Sequence, residues 1–318
     1  MIKPEQQETR SSVRMVTVHE DDAGQRLDNF LLREVKGVPR TRLYRALRKG
    51  EVRVNKGRIK ADYRLCAGDI VRIPPLRQGT PEEQAQAPQY LQRELENRII
   101  YESDDLLVLN KPSGLAVHGG SGLNFGMIES LRQFKPEQRY LELVHRLDRD
   151  TSGLIMVAKR PRVLRELHRN LRDKTIDKRY LALAAGRWPR SCRTVEAPLQ
   201  KNVLQSGERM VRVAKEGQAC VTHFRVLEHF ADTTLVEASP VTGRTHQIRV
   251  HALHAGFPLL GDNKYSSDSS RTLTAQLRLK RLFLHASELH LQSVNGEALS
   301  FHAPLDSDLE KLLERIRN

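Results

Sequence analysis

Cysteine is scarce in this chain. Only Cys66, Cys192 and Cys220 occur, far apart and with no Cys-x-x-Cys pair, which argues against a disulfide framework or a cysteine-held zinc site. Long apolar runs are missing as well: no stretch approaches the ~20 residues of a membrane span. The first twenty residues are polar and contain no apolar signal-peptide core, so a cytoplasmic location is expected. Neither a Gly-x-x-x-x-Gly-Lys-Ser/Thr phosphate loop nor a Gly-x-Gly-x-x-Gly dinucleotide fingerprint occurs, and no nucleotide cofactor is expected. His246, His251 and His254 lie close in sequence but without a His-Glu-x-x-His pattern or a nearby acidic ligand. They are read as packing or partner-contact residues, with no metal expected.

What the chain has in excess is positive charge. The formal net charge is +14 and the pI about 9.9, which points to a polyanionic partner. The surplus is local. Residues 21–77 hold fifteen Lys and Arg against seven Asp and Glu, and residues 36–60 hold ten against one, Glu51. Such a concentration suits a surface that tracks phosphates better than it suits diffuse solubility charge.

Residues 1–18 show no sustained periodicity and are expected to form a flexible tail. Residues 19–76 read as a compact module. Leu27, Phe30, Leu31 and Val35 fall at helical spacing. A second helix is expected over Arg40 to Lys49, with Leu43, Tyr44 and Leu47 on its apolar side and Gly50 ending it. Arg40, Arg42, Arg45, Arg48 and Lys49 lie mostly off that side, where they can face a phosphate backbone. Residues 77–92 (RQGTPEEQAQAPQYLQ) are rich in Gln, Pro and Glu and read as a linker.

Residues 93–318 read as one α+β domain. A hairpin is expected from Ile99 to Leu109, a buried strand at Leu154 to Ala158, and a helix opened by Pro161. Further strands are expected at Tyr180 to Ala184, Val221 to Leu227 and Thr234 to Ala238, and a helix over Thr245 to Ala255. Asn295-Gly296 signals a hairpin. Ser307 and Glu310 have capping-box spacing before a final helix. Strands come in pairs more often than in alternation with helices, which favours a mixed, mainly antiparallel sheet.

The densest polar cluster is His145-Arg146-Leu147-Asp148-Arg149-Asp150-Thr151-Ser152-Gly153, with Thr-Ser-Gly read as a tight turn before the Leu154 strand. A loop between rigid elements can present a carboxylate into a cleft, where it can act as nucleophile or base. Two other readings stand beside this. Asp148 and Asp150 could form the carboxylate pair of a glycosidase or base-excising hydrolase, or the chain could be a binding protein whose larger domain is only a scaffold.

Four segments together resemble the RluA-type family of pseudouridine synthases: His145-Arg146-Leu147-Asp148 with Thr151-Ser152-Gly153; Asn110-Lys111-Pro112-Ser113-Gly114-Leu115 ending in Val117-His118; Lys178-Arg179-Tyr180; and Thr242-Gly243-Arg244-Thr245-His246-Gln247-Ile248-Arg249-Val250-His251. Leu284-His285-Ala286 resembles the family's final motif. The front module is similar to the S4 RNA-binding domain in Arg26-Leu27-Asp28, in its basic second helix, in Gly50-Glu51-Val52-Arg53-Val54-Asn55 and in Gly68-Asp69. The resemblance implies a pseudouridine synthase fold and isomerisation of uridine in large-subunit (23S) ribosomal RNA without a cofactor. It implies Asp148 as catalytic carboxylate, Tyr180 stacking on the uracil and Arg249 pairing with Asp148. Arg146 would fill the gap left by an extruded base, Arg244 would bind phosphate, and Leu284 would line the base pocket. A monomer is expected.

Overall fold

The computed structural model describes residues 12–35, 38–76, 87–119, 126–203, 209–293 and 295–318. The chain divides into two compact units: Met1–Gln86 with Arg160–Arg162, and Ala87–Lys159 with Val163–Asn318. Among the described residues no helix is long and apolar enough to cross a membrane.

The first unit contains β1 (Arg14–Thr17), α1 (Leu27–Glu34), α2 (Arg40–Lys49), β2 (Arg53–Val54) and β3 (Ile70–Ile73). Its antiparallel sheet has the order β1-β3-β2. Leu27, Phe30 and Leu31 of α1 and Leu43, Ala46 and Leu47 of α2 are buried with Val54, Val71 and Ile73 in one core. Gly50 ends α2 in the left-handed conformation, φ 68°, which a residue without Cβ adopts at no steric cost.

Two sequence readings change here. The expected tail over 1–18 lies outside the described residues as far as residue 11, but Arg14–Thr17 is a strand with its own ladder to β3. Four residues give too short a pattern for periodicity to register. Tyr44 is not on the apolar side of α2. It is 39% exposed, and its hydroxyl donates to Asp28 Oδ2 at 2.9 Å, while Ala46 takes the inward position.

From residue 87 the chain runs α3 (Gln89–Asn97), β4 (Ile99–Glu102), β5 (Leu106–Lys111), α4 (Met127–Phe134), β6 (Glu142–Leu143), β7 (Ser152–Ala158), α5 (Pro161–Arg172), β8 (Asp177–Ala185), β9 (Thr194–Glu196), β10 (Leu199–Val203), β11 (Arg209–Val213), β12 (Val221–His229), β13 (Thr233–Pro240), α6 (Gln247–His254), α7 (Asp268–Gln276), β14 (Leu284–Gln292), β15 (Ala298–His302) and α8 (Ser307–Arg317). A ten-stranded sheet has the order β4-β5-β7-β14-β8-β13-β12-β9, with β15 on β14 and β6 on β7. Every pairing in it is antiparallel except β7 with β14, which is parallel over two residue pairs, His285 with Ser152 and Ala286 with Gly153. β10 and β11 form a separate hairpin. The fold is thus α+β with a mixed, mainly antiparallel sheet. Each residue of β5 and β7 is buried, which explains their unbroken apolar runs.

Three local readings are corrected. The expected linker over 77–92 lies outside the described residues for 77–86, but Gln89–Asn97 is helical, with Leu91 and Leu95 buried; its polar Gln and Glu residues hid a two-leucine face. Thr151-Ser152-Gly153 is not a turn. Ser152 and Gly153 already belong to β7, and the turn falls at Arg149 and Asp150. Gly153 (φ 108°) is needed because a Cβ there would collide with the Ala286 backbone of β14. The capping box of α8 does not form. Asp306 is the N-cap, and its carboxylate is held by Arg98 at 2.8 Å and Arg281 at 2.6 Å.

Candidate active site

A cavity of about 530 Å³ opens in the second unit, lined among others by Asp148, Tyr180, Arg249, Leu284, Arg146 and Arg244. Asp148 sits in the loop between β6 and β7, with its side chain 18% exposed. The loop is tied to β5 and the segment after it. Lys111, fully buried at the end of β5, donates from Nζ to the carbonyls of Pro112, Leu115 and Arg149 at 2.8, 2.9 and 3.0 Å. Gly114 N donates to the Arg149 carbonyl and Ser113 Oγ to that of Asp150. Burial drives the Lys111 pKa down to about 7, while three carbonyl acceptors call for the three N–H donors of the ammonium form.

On the other side, β8 presents Tyr180, in register with Ala286 of β14 and Ala238 of β13. Two residues on, Ala182 faces Leu284. Side chains two apart share a face of the sheet, so Tyr180 and Leu284 form an apolar wall. Burial and then the charge of Asp148 push the Tyr180 phenol above its ordinary pKa, so it stays protonated near neutrality.

Arg249, on α6, is 3% exposed. Its Nη1 lies 3.7 Å from Asp148 Oδ2, but its tight partner is Asp262, reached by Nε and Nη2 at 2.7 Å each in a bidentate pair. Burial disfavours both charges, yet the hydrogen bonds between them hold the Asp262 carboxyl below the usual range and Arg249 above its own. The Arg249 guanidinium also stands over the Tyr265 ring, 5.0 Å from its centroid. The simple Asp148–Arg249 pair expected from sequence is therefore a three-member arrangement in which Asp262 fixes the arginine that faces Asp148.

Gln247 shapes the approach to α6. Its Nε2 donates to the Val221 carbonyl and Thr222 Oγ1, and its Oε1 accepts from Thr242 Oγ1 and Arg244 N. Arg146 and Arg244 are exposed and have no side-chain partner among the described residues. Arg172, Lys174 and Lys178 also reach the cavity. Among the described residues the cavity is thus bordered by cations around one carboxylate.

The structure brings Asp148, Tyr180, Arg249, Leu284, Arg146 and Arg244 to one cavity. Arg42, Arg45, Arg48 and Lys49 lie on α2 of the first unit, the last three exposed and Arg42 paired with Glu51 at 2.9 Å; the side chain of Arg40 lies outside the described residues. Asp150 does not line the cavity and pairs with Arg149 at 3.2 Å, so the carboxylate pair of a hydrolase is not formed. His145 accepts from Met156 N at 3.2 Å, and burial, then Lys178, push its pKa down to about 3, leaving a neutral structural acceptor. His251 donates to the Ala197 carbonyl at 3.0 Å, apart from the Asp148 side faced by His246. Sequence reasoning missed Asp262, Tyr265, Gln247 and the clamp made by Lys111. Gly261-Asp262 carried a turn signal, and Gln247 and Lys111 stood inside quoted motifs, but nothing local announced their partners.

Comparison with known proteins finds the RNA pseudouridylate synthase family model over residues 105–254 and the S4 domain model over residues 25–71. The chain is 53% identical over 318 residues to the ribosomal large subunit pseudouridine synthase C of Pasteurella multocida (strain Pm70), covering 99% of this chain and 97% of that one. It is 55% identical over 312 residues to the protein of the same name from Escherichia coli (strain K12), covering 96% and 98%. Among solved structures, human RNA pseudouridylate synthase domain containing 4 superposes with a TM-score of 0.60 at 27% identity, covering 72% of this chain and 96% of that one.

Proposed function

This chain belongs to the RNA pseudouridylate synthase family, isomerases that carry here an S4 domain in front, and from that premise we propose that it converts specific uridines of large-subunit (23S) ribosomal RNA, or of its precursor particle, to pseudouridine. The reaction breaks the N1–C1′ bond, turns the uracil and forms C5–C1′; the proton on C5 leaves and N1 gains one. Nothing is oxidised and no group is lost, so neither cofactor nor metal is required. Asp148 is the catalytic carboxylate, attacking C1′ or taking a ribose proton. Tyr180 stacks on the uracil and moves a proton during rearomatisation. Arg249 orients Asp148 through its charge. Arg146 fills the place of the extruded base, Arg244 binds phosphate and Leu284 lines the base pocket. C1′ and C5 are hard to reach in a helix, so the target is flipped out at a cost of a few kcal/mol. The S4 domain at residues 19–76 holds structured RNA by backbone and shape through Arg40, Arg42, Arg45, Arg48 and Lys49. The enzyme acts as a cytoplasmic monomer.

The observation that carries this reading is the meeting of Asp148, Tyr180, Leu284 and Arg249 at one cavity from a loop, two sheet strands and a helix. The test is carbodiimide treatment and primer extension of ribosomal RNA from cells with and without the chain. Stops that vanish without it, and return with the wild type but not with Asp148→Asn, support the reading and name the uridines. An unchanged pattern, or full activity in Asp148→Asn, refutes it.

A further inference from the structure

His246 holds a backbone conformation rare for a residue with a Cβ, φ 55° and ψ 18°, at the N-cap of α6. In such a left-handed residue the Cβ is crowded by the backbone, and the strain must be offset elsewhere. Its side chain does not offset this by capping the helix, because it accepts no helical N–H. The ring is instead held at Nδ1, while Nε2 faces a carboxylate. Nδ1 lies 2.7 Å from the Tyr265 hydroxyl, with the two rings edge to face at 5.4 Å. Nε2 lies 3.8 Å from Asp148 Oδ2, the oxygen that Arg249 also approaches most closely.

The Tyr265 hydroxyl bears on where the ring proton sits. It accepts the N–H of Val211 in β11 at 2.9 Å, and its own proton then goes to the acceptor in reach, Nδ1. With the Tyr265 O–H donating to Nδ1, the imidazole proton is on Nε2, facing the carboxylate. Burial keeps the ring below its ordinary pKa; Asp148 and Asp262 oppose this, and Arg249 and Lys264 reinforce it. A neutral ring can still donate one N–H.

We propose that His246 is a positioning residue for Asp148: through the chain Val211 N–H, Tyr265 O–H, His246 Nδ1, it is held as the Nε2–H tautomer and donates that proton to Asp148 Oδ2, so that Arg249 and His246 together fix one carboxylate oxygen and free the other for the ribose. The inference rests on the reading of Asp148 as the catalytic carboxylate. The 3.8 Å separation closes to hydrogen-bond distance in the RNA complex, as catalytic hydrogen bonds commonly tighten when substrate binds.

The experiment uses the full chain labelled with ¹⁵N at histidine, and tritium release from a ribosomal RNA transcript. In the free wild type at neutral pH, the His246 resonances, identified by their loss in His246→Asn, show a protonated Nε2 and an accepting Nδ1. His246→Asn suits the left-handed backbone but cannot reach Asp148; kcat falls about 10- to 100-fold while KM for RNA is unchanged. His246→Gln, whose amide nitrogen reaches the place of Nε2, recovers most of that loss. In Tyr265→Phe the tautomers mix. A proton on Nδ1 in the wild type, an undiminished kcat in His246→Asn, or a glutamine variant no better than the asparagine one overturns the proposal. A wild type without isomerase activity refutes the functional reading instead, and the tautomer, read on the free protein, still upholds or overturns the hydrogen-bond chain.

Discussion

Replacing Asp262 by asparagine tests how the arginine facing Asp148 is held. Asp262 Oδ1 accepts from Arg249 Nη2 and from the backbone N–H groups of Lys264 and Tyr265, and Oδ2 accepts from Arg249 Nε. An asparagine keeps an oxygen for the first three donors but turns an NH₂ toward Arg249 Nε, donor against donor. It also leaves the guanidinium, 3% exposed, without its carboxylate. Stranding one partner of a buried pair costs about 3–5 kcal/mol, which for a unit of this size lowers the melting temperature by about 10 °C. The pH dependence has a definite sign. The folded-state pKa of Asp262 lies below the unfolded one, so the stabilisation is present above the unfolded carboxylate value and is lost as pH falls through the folded one. Wild type and Asp262→Asn should therefore differ most near neutrality and converge in acid. No longer held by Asp262, Arg249 should cease to orient Asp148, and kcat should fall with RNA affinity unchanged. Calorimetry across pH and tritium-release kinetics measure both effects. A melting temperature within about 2 °C of wild type at pH 7 would refute the reasoning, since that corresponds to no more than about 1 kcal/mol.

Three further outcomes are expected. Lys111→Met leaves three carbonyls without their donor and should loosen the Asp148 loop, lowering kcat. Tritium-release kinetics read this, and an unchanged kcat would count against the clamp. Gly153→Ala should destabilise by about 2 kcal/mol or more through collision with the Ala286 backbone, read by urea unfolding; an unchanged midpoint contradicts the seam described between β7 and β14. Arg45→Glu combined with Arg48→Glu should weaken RNA binding at every sequence and flatten the slope of log K against log salt by about 2, read by filter binding, whereas an unaltered slope removes α2 from the phosphate-tracking surface.

Sequence was most informative where one physical demand repeats along the chain. The proline opening α5, the apolar runs of β5 and β7 and the glycine after α2 each satisfy a rule that acts over a few residues. It failed where that demand is diluted or distant. The α3 helix was hidden by Gln and Glu between two buried leucines. The α7 helix shows little apolar periodicity, and its start depends on Ser267, whose hydroxyl accepts from Ser270 N. Gly153 was read as a turn residue because glycine serves turns and close backbone approaches equally well, and only the position of β14 tells them apart. At the site, motif resemblance singled out Asp148, Tyr180 and Arg249. Asp262 and Tyr265 stayed hidden because an ion pair or a tautomer-setting hydroxyl is defined by a partner that the fold, not the neighbouring sequence, supplies.

The position of β14 between β7 and β8 also sets a timetable for the nascent polypeptide. Asp148 precedes β7 and Tyr180 lies on β8, yet these strands share no ladder; each is joined to β14, whose first residue is Leu284. A ribosome that has released the first 280 residues has thus delivered both side chains but not the strand that sets them side by side. Domains tend to fold in order of emergence, so the S4 domain can be ready to hold RNA while the proposed chemical centre is still in two halves. Contacts so distant in sequence are slow to form, and activity should switch on late and in one step, with fragments ending before β14 able to grip RNA but unable to change it.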